Sequence, residues 1–293
     1  MSAPTPSILN RVGGTLLAGF IIVVSGTVAA GLATLLSDSN ILFATALTWV
    51  LASPVLLFAF PRVLGLDPET IGVRPSGEGA RRPLYLLGVL AGLACVLLPA
   101  LIGRVAGGYL PMPPEAVAAL DVPSGSSALP AVVFALPALM LAAFGEELLF
   151  RGVLLRLWQP LLGARGALVL SSLFFVAVHT GNPGAAPRGA VGVFLAGIAL
   201  GAFYLRGGGL WAVAGAHLGW NAGEALLIGV PVSGITLPSL GRWQVMDSEL
   251  WRGLLGGSFG PEEGLLFHGA LGLAAGVAVV FAAAAGVFAR NTE

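Results

Sequence analysis

Eight stretches of the chain, near residues 13–36, 40–60, 84–104, 130–157, 165–182, 189–206, 210–230 and 265–289, are almost wholly apolar. Each approaches the ~20 residues a helix needs to cross the hydrocarbon of a bilayer. Between them lie the turn formers and most of the charge. Residues 61–83 carry Arg62, Asp67, Glu69, Arg74, Glu78, Arg81 and Arg82, and residues 241–263 are similarly polar. These connections read as interfacial loops of one transmembrane domain over residues 1–293. The pattern predicts an all-α, polytopic membrane protein with about eight transmembrane helices. The first stretch is too long for a cleaved signal region and reads as a retained span.

Composition agrees: 57% of residues are hydrophobic, 10% are charged, and mean hydropathy is +0.94. Lipid is the solvent for most of such a chain. Fourteen basic residues balance fourteen acidic ones, so no excess charge points to nucleic acid. All the basic residues are Arg, which with abundant Ala and Gly suggests a GC-rich, prokaryotic coding sequence. With the N-terminus inside, Arg11, Arg62, Arg74, Arg81, Arg82, Arg156, Arg165, Arg206 and Arg290 fall on the inner side, and Arg104, Arg188, Arg242 and Arg252 on the outer. That asymmetry predicts a plasma-membrane protein with both termini cytoplasmic. The single cysteine, Cys95, sits in an apolar run and reads as a small buried hydrophobe. Gly88/Gly92, Gly197/Gly201 and Gly272/Gly276, four residues apart, predict close helix–helix packing.

The informative residues are the few polar ones inside the apolar stretches, because an ionisable group in hydrocarbon costs several kcal/mol and marks a candidate site. The fourth stretch holds Glu146, Glu147 and Arg151, the fifth Phe175 and His179, and the seventh His217, Asn221 and then Glu224. Residues four apart share a helix face, so His217 projects with Asn221 and Glu147 with Arg151. At ~1.5 Å of rise per residue, Glu146 lies roughly 18 Å deep, His179 roughly 21 Å, His217 roughly 11 Å and Asn221 roughly 17 Å, compatible with one shared cavity. Glu147 and Arg151 also read as an ion pair pinning helices together, with Glu147 orienting Glu146. His268, near the start of the last stretch, reads as a satisfied hydrogen bonder, and Glu224 as a group near a helix end. Trp158, Trp211 and Trp251 sit where interfacial anchors do.

In order, Glu146-Glu147-x-x-x-Arg151, Phe175-x-x-x-His179 and His217-x-x-x-Asn221 resemble the three motifs of the CAAX-protease and bacteriocin-processing family of intramembrane glutamic endopeptidases. The resemblance covers the fourth to seventh stretches, a core of roughly 130–230, and Ser258-Phe-Gly-Pro-Glu-Glu-Gly264 also looks like a family feature. It implies an intramembrane endopeptidase in which Glu146 and His179 activate a water while His217 and Asn221 stabilise the oxyanion. Glu147 and Arg151 support them, and no cofactor is implied. The implied substrate is a membrane-embedded or lipidated peptide, prenylated ones included, reached within the lipid bilayer. Elementary chemistry fits those roles, since a carboxylate in a poorly hydrated cavity suits a general base and Asn and His donors suit an oxyanion.

Other classes are weighed by what each would need. No His-Glu-x-x-His, no Gly-x-Ser-Gly and no Asp inside a stretch is present. A zinc-dependent variant of the same protease, with metal at the Glu/His cluster, is the chemical alternative. A non-catalytic membrane immunity or scaffold protein is the second class. A proton-relaying transporter is the third and would want paired broken helices in related halves, which the sequence lacks.

Overall fold

An apolar stretch in lipid must satisfy its own backbone, and the helix is the element that does so within one segment. The computed structural model describes residues 7–37, 41–59, 66, 71–73, 81–120 and 122–284. Within them each of the eight predicted stretches carries a long helix. These are α1 (Ile8–Ser37), α2 (Ile41–Pro54, continued by a π-helical turn over Val55–Ala59) and α3 (Arg81–Val105). After the short α4 (Pro114–Ala118) come α5 (Leu129–Glu147, running on as π-helix over Leu148–Leu155), α6 (Arg156–His179) and α7 (Pro187–Phe203, with Tyr204–Gly208 π-helical). Then follow α8 (Gly209–Ala222, extended by a π-helical Gly223–Ile228), the short α9 (Glu249–Leu255) and α10 (Leu265–Ala284). The predicted connection over 61–80 lies largely outside the described residues, as does Arg290.

Ile8–Ala30, Leu84–Val105, Ser126–His179 and Pro187–Arg206 are long and apolar enough to cross a membrane, and Ala44–Phe58 and Leu265–Val280 are shorter apolar helices. The run Ser126–His179 supplies two of the predicted spans because Gly163 takes φ 68°, ψ 171° and turns the chain back. Only glycine adopts that conformation at little steric cost. Residues 156–162 therefore continue the preceding helix, whereas the sequence pattern places the fifth span at 165–182. The two arms are tied by Ser171 Oγ, which donates to the Phe150 carbonyl at 2.7 Å.

Helices α3 and α8 meet backbone to backbone. A Cβ on Gly88 or Gly92 would run into the Ala212 or Ala216 carbonyl, and one on Gly215 or Gly219 into the Tyr85 or Val89 carbonyl. The pair Gly88/Gly92 thus does what its spacing predicts, with partners on α8 that the pattern does not single out. Gly197 and Gly201 face Ser172 and Leu168 of α6. Gly272 and Gly276 face open space, so that pair creates no close approach among the described residues.

At one end of the bundle, Arg11 donates to the Leu157 carbonyl, Trp158 Nε1 to Thr15 Oγ1 (3.0 Å), and Arg156 Nε to the Tyr204 hydroxyl (3.1 Å). At the other end the connections fold into a cap. Strands β1 (Tyr109–Pro111) and β2 (Trp243–Val245) pair antiparallel, with Tyr109 opposite Val245. Arg104 lies over the Trp243 ring (4.7 Å), and Arg242 donates to the Gly229 and Leu237 carbonyls at 3.0 and 2.8 Å. The sequence reads this stretch as plain loop. It is ordered because backbone carbonyls shielded from water must find donors, and the strand pair and Arg242 provide them.

Candidate active site

Three helices bring the motifs together around one cavity of about 690 Å³. Glu146 reaches it from the end of α5, His179 from the end of α6, and His217 and Asn221 from one face of α8; all four line its wall. Apolar residues of α3, α7 and α10, among them Ala91, Leu200 and Leu271, complete most of the rest. The close approach of α3 and α8 fixes the helix that carries two of the four groups.

Glu147 and Arg151 lie behind this wall, with side-chain exposures of 0% and 1%, whereas Glu146 keeps 21%. The adjacent carboxyls therefore have different environments: Glu146 opens on the cavity and Glu147 is sealed in the protein. Glu147 Oε1 accepts from Arg151 Nη1 at 2.8 Å and from His217 Nδ1 at 2.8 Å. Arg151 also donates to the Gly197 carbonyl at 3.2 Å, and its guanidinium lies 4.6 Å from the centre of the Phe175 ring. The sequence reading pairs Glu147 with Arg151 and has Glu147 orient Glu146. In the structure the Glu147 carboxylate instead bonds His217, seventy residues away, a contact no sequence spacing signals.

Each histidine has one nitrogen committed. The His179 Nδ1 faces the Phe175 carbonyl at 2.7 Å, and a carbonyl only accepts, so Nδ1 carries a proton and donates. His217 Nδ1 donates to the Glu147 carboxylate in the same way. The remaining Nε2 of His217 stands 3.8 Å from Glu146 Oε2. That separation is too long for a direct hydrogen bond and suits two groups that share a third. Glu146 Oε2 and Glu147 Oε2 have no hydrogen-bond partner among the described residues. The Asn221 side-chain amide is likewise uncommitted on the cavity wall. Phe175 is the aromatic hub, with its ring centroid 4.5 Å from His179, 5.9 Å from His217 and 5.1 Å from Phe150.

The other candidates fall elsewhere. His268 Nε2 donates to the Glu262 carbonyl at 2.6 Å, a satisfied structural bond. Glu224 is fully buried and does not line the cavity. Cys95 is half-buried on the cavity wall rather than sealed in a core. Among the described residues, no group of three or more His, Cys, Asp or Glu is placed to hold a metal ion. Asn182, Ser233 and Glu262 are among the further polar residues that line the cavity, with Thr45 and Arg206, and the motifs give these three no role. Asn182 lies three residues beyond His179, and Glu262 lies in the polar 258–264 stretch, the only signals that precede the structure.

Comparison with curated proteins and with solved structures gave no match. Comparison with family models gave one over residues 128–223, described as type II CAAX prenyl endopeptidase Rce1-like. That segment holds Glu146, Glu147, Arg151, Phe175, His179, His217 and Asn221, and it runs from the start of α5 into the end of α8. Residues 128–223, which carry all three motifs, thus match the Rce1-like family of type II CAAX prenyl endopeptidases.

Proposed function

We propose that this protein is an intramembrane endopeptidase that hydrolyses a peptide bond of a membrane-associated substrate by water activation, without a side-chain nucleophile. The observation that carries the reading is Glu146 Oε2 facing His217 Nε2 at 3.8 Å across a cavity that His179 and Asn221 also line. A water held at Glu146 would be deprotonated as its oxygen attacks the peptide carbonyl, with the proton passing to the Glu146 carboxylate. His179, its Nδ1 proton bound to the Phe175 carbonyl, offers the Nε2 lone pair to the same water. The tetrahedral oxyanion would accept from Asn221 Nδ2 and from His217 Nε2 when that nitrogen carries a proton. Glu146 then returns its proton to the departing amine, the C–N bond breaks, and the carboxylate is regenerated.

Glu147 and Arg151 act through His217. The Arg151 guanidinium fixes the Glu147 carboxylate and the carboxylate fixes the imidazole, so Nε2 is aimed before substrate arrives. The largely apolar cavity suits a substrate presented from lipid, farnesylated CAAX peptides among them. In the cell this reading places the protein in a prokaryotic plasma membrane with both termini in the cytoplasm, as the distribution of Arg favours.

The test is cleavage of a quenched-fluorescent farnesylated CAAX peptide and of a membrane-protein peptide library by wild type, Glu146→Ala and His179→Ala, each with and without a chelator. Cleavage lost in both variants and insensitive to chelation is the expected result. Chelator-sensitive cleavage would move the reaction to a metal, and full cellular function in both variants would replace the enzyme with a scaffold or immunity protein.

A further inference from the structure

Where the cavity meets the cap, three loops contribute a polar cluster that the proposed hydrolysis does not use. Ser233 is the only described residue other than glycine with a positive φ (45°). A serine there is strained, and such strain persists only where its surroundings enforce it. Here the enforcing contacts are visible. The Ser233 N–H and hydroxyl both donate to Glu262 Oε1, at 3.1 and 2.7 Å, and the Ser233 carbonyl accepts from Asn182 Nδ2 at 3.0 Å. Glu262 is 5% exposed, its other oxygen Oε2 has no partner, and its carbonyl is held by His268. Asn182, Ser233 and Glu262 all line the cavity that holds Glu146, His179, His217 and Asn221.

Counting donors and acceptors decides the chemistry. Both Ser233 donors are spent on Glu262 Oε1, and one Asn182 N–H is spent on the Ser233 carbonyl. The carboxylate oxygen Glu262 Oε2 and the amide oxygen of Asn182 remain, and both accept. Glu262 Oε2 is buried without a partner, which costs free energy until a donor arrives, and a cation satisfies a carboxylate better than a neutral donor does. Burial pushes the Glu262 carboxyl up to about 7, so an arriving cation would also favour its ionised form.

We infer that Asn182, Ser233 and Glu262 form a specificity subsite in the substrate cavity that receives a Lys or Arg side chain of the substrate peptide. Glu262 is the charge-pairing residue, and Ser233 is a positioning residue that holds its carboxyl. The inference rests on the endopeptidase reading for the identity of the ligand as a substrate, but not on the identity of the catalytic base.

Full-length protein in lipid nanodiscs is given a library of farnesylated CAAX peptides in which each position around the scissile bond is in turn Lys, norleucine or Glu. Two readouts are taken. One is kcat/KM in wild type, Glu262→Gln and Ser233→Gly. The other, independent of cleavage, is protection of Cys95 from a maleimide by the same peptides, in a Glu146→Gln background with and without the Glu262 and Ser233 changes. Cys95 suits this because it lines the same cavity and is the protein's single thiol. At one position Lys is expected to beat norleucine at least tenfold by both readouts, with Glu262→Gln reducing the preference to near unity.

Ser233→Gly keeps the backbone N–H, removes the hydroxyl and relieves the positive φ, which offsets the lost hydroxyl bond, and it is expected to fold and to retain an intermediate preference. No Lys preference in Cys95 protection at any position, or a preference that survives Glu262→Gln, overturns the subsite. Loss of all cleavage with the protection preference intact would instead overturn the endopeptidase reading and leave the subsite standing.

Discussion

Removing the Glu147 carboxylate separates its two roles, in stability and in the placement of His217. Glu147 and Arg151 are 0% and 1% exposed and 2.8 Å apart. In Glu147→Ala the guanidinium keeps only its bond to the Gly197 carbonyl and its contact with Phe175, and a buried cation without its partner typically costs about 3–5 kcal/mol. For a domain of this size that corresponds to a fall in Tm on the order of 10 °C. The double variant Glu147→Leu/Arg151→Leu removes both charges and keeps apolar volume, so most of that loss should return.

Activity should behave differently. In both variants His217 loses the acceptor for its Nδ1 proton, its ring is no longer aimed, and kcat is expected to fall by about 10²–10³. Thermal unfolding in nanodiscs and kcat on a cleaved peptide, measured for wild type, the single and the double variant, give the comparison. A double variant that regains both stability and activity would refute the claim that Glu147 positions His217. A single variant as stable as wild type would refute the buried pair itself.

Glu146→Gln, which keeps shape and removes the base, should lower kcat by about 10²–10⁴ with little change in unfolding, and activity near wild type would transfer the base to another residue. Asn221→Ala, which removes one donor, should cost about 10²–10³ in kcat with KM nearly unchanged, and a pure KM effect would make Asn221 a binding group. Gly219→Leu forces a side chain into the Val89 carbonyl and should destabilise by about 1–3 kcal/mol with loss of activity, whereas Gly276→Leu faces open space and should be neutral in unfolding assays. The Glu262 carboxyl titrates at about 7 in the folded protein, above its ordinary 4.5. Its protonated form therefore supports folding fully below 4.5, and that support, about 3 kcal/mol, is lost as pH rises to 7 and above. Denaturant unfolding from pH 5 to 8 should show that decline in wild type and a flatter profile in Glu262→Gln.

The sequence by itself determined the membrane class, the approximate place of the helices and the polar residues worth following. Uninterrupted apolar stretches leave the backbone no option in lipid but helix, and an ionisable residue inside one is too costly to be incidental. The spacing of His217 and Asn221 likewise needed no tertiary information, since four residues on a helix share a face whatever surrounds them. What the tertiary structure decided is every contact between residues far apart in the chain. Glu147 binds His217 because α5 packs beside α8, the helix that the glycines hold at backbone distance from α3. The turn at Gly163 was hidden because glycine in an apolar stretch reads equally as packing or as a break. Asn182, Ser233 and Glu262 belong to three separate connections, and no periodicity links residues brought together solely by the folding of a cap. Periodicity reports which face a residue occupies on its own helix, and only the packing of helices and loops determines what that face meets.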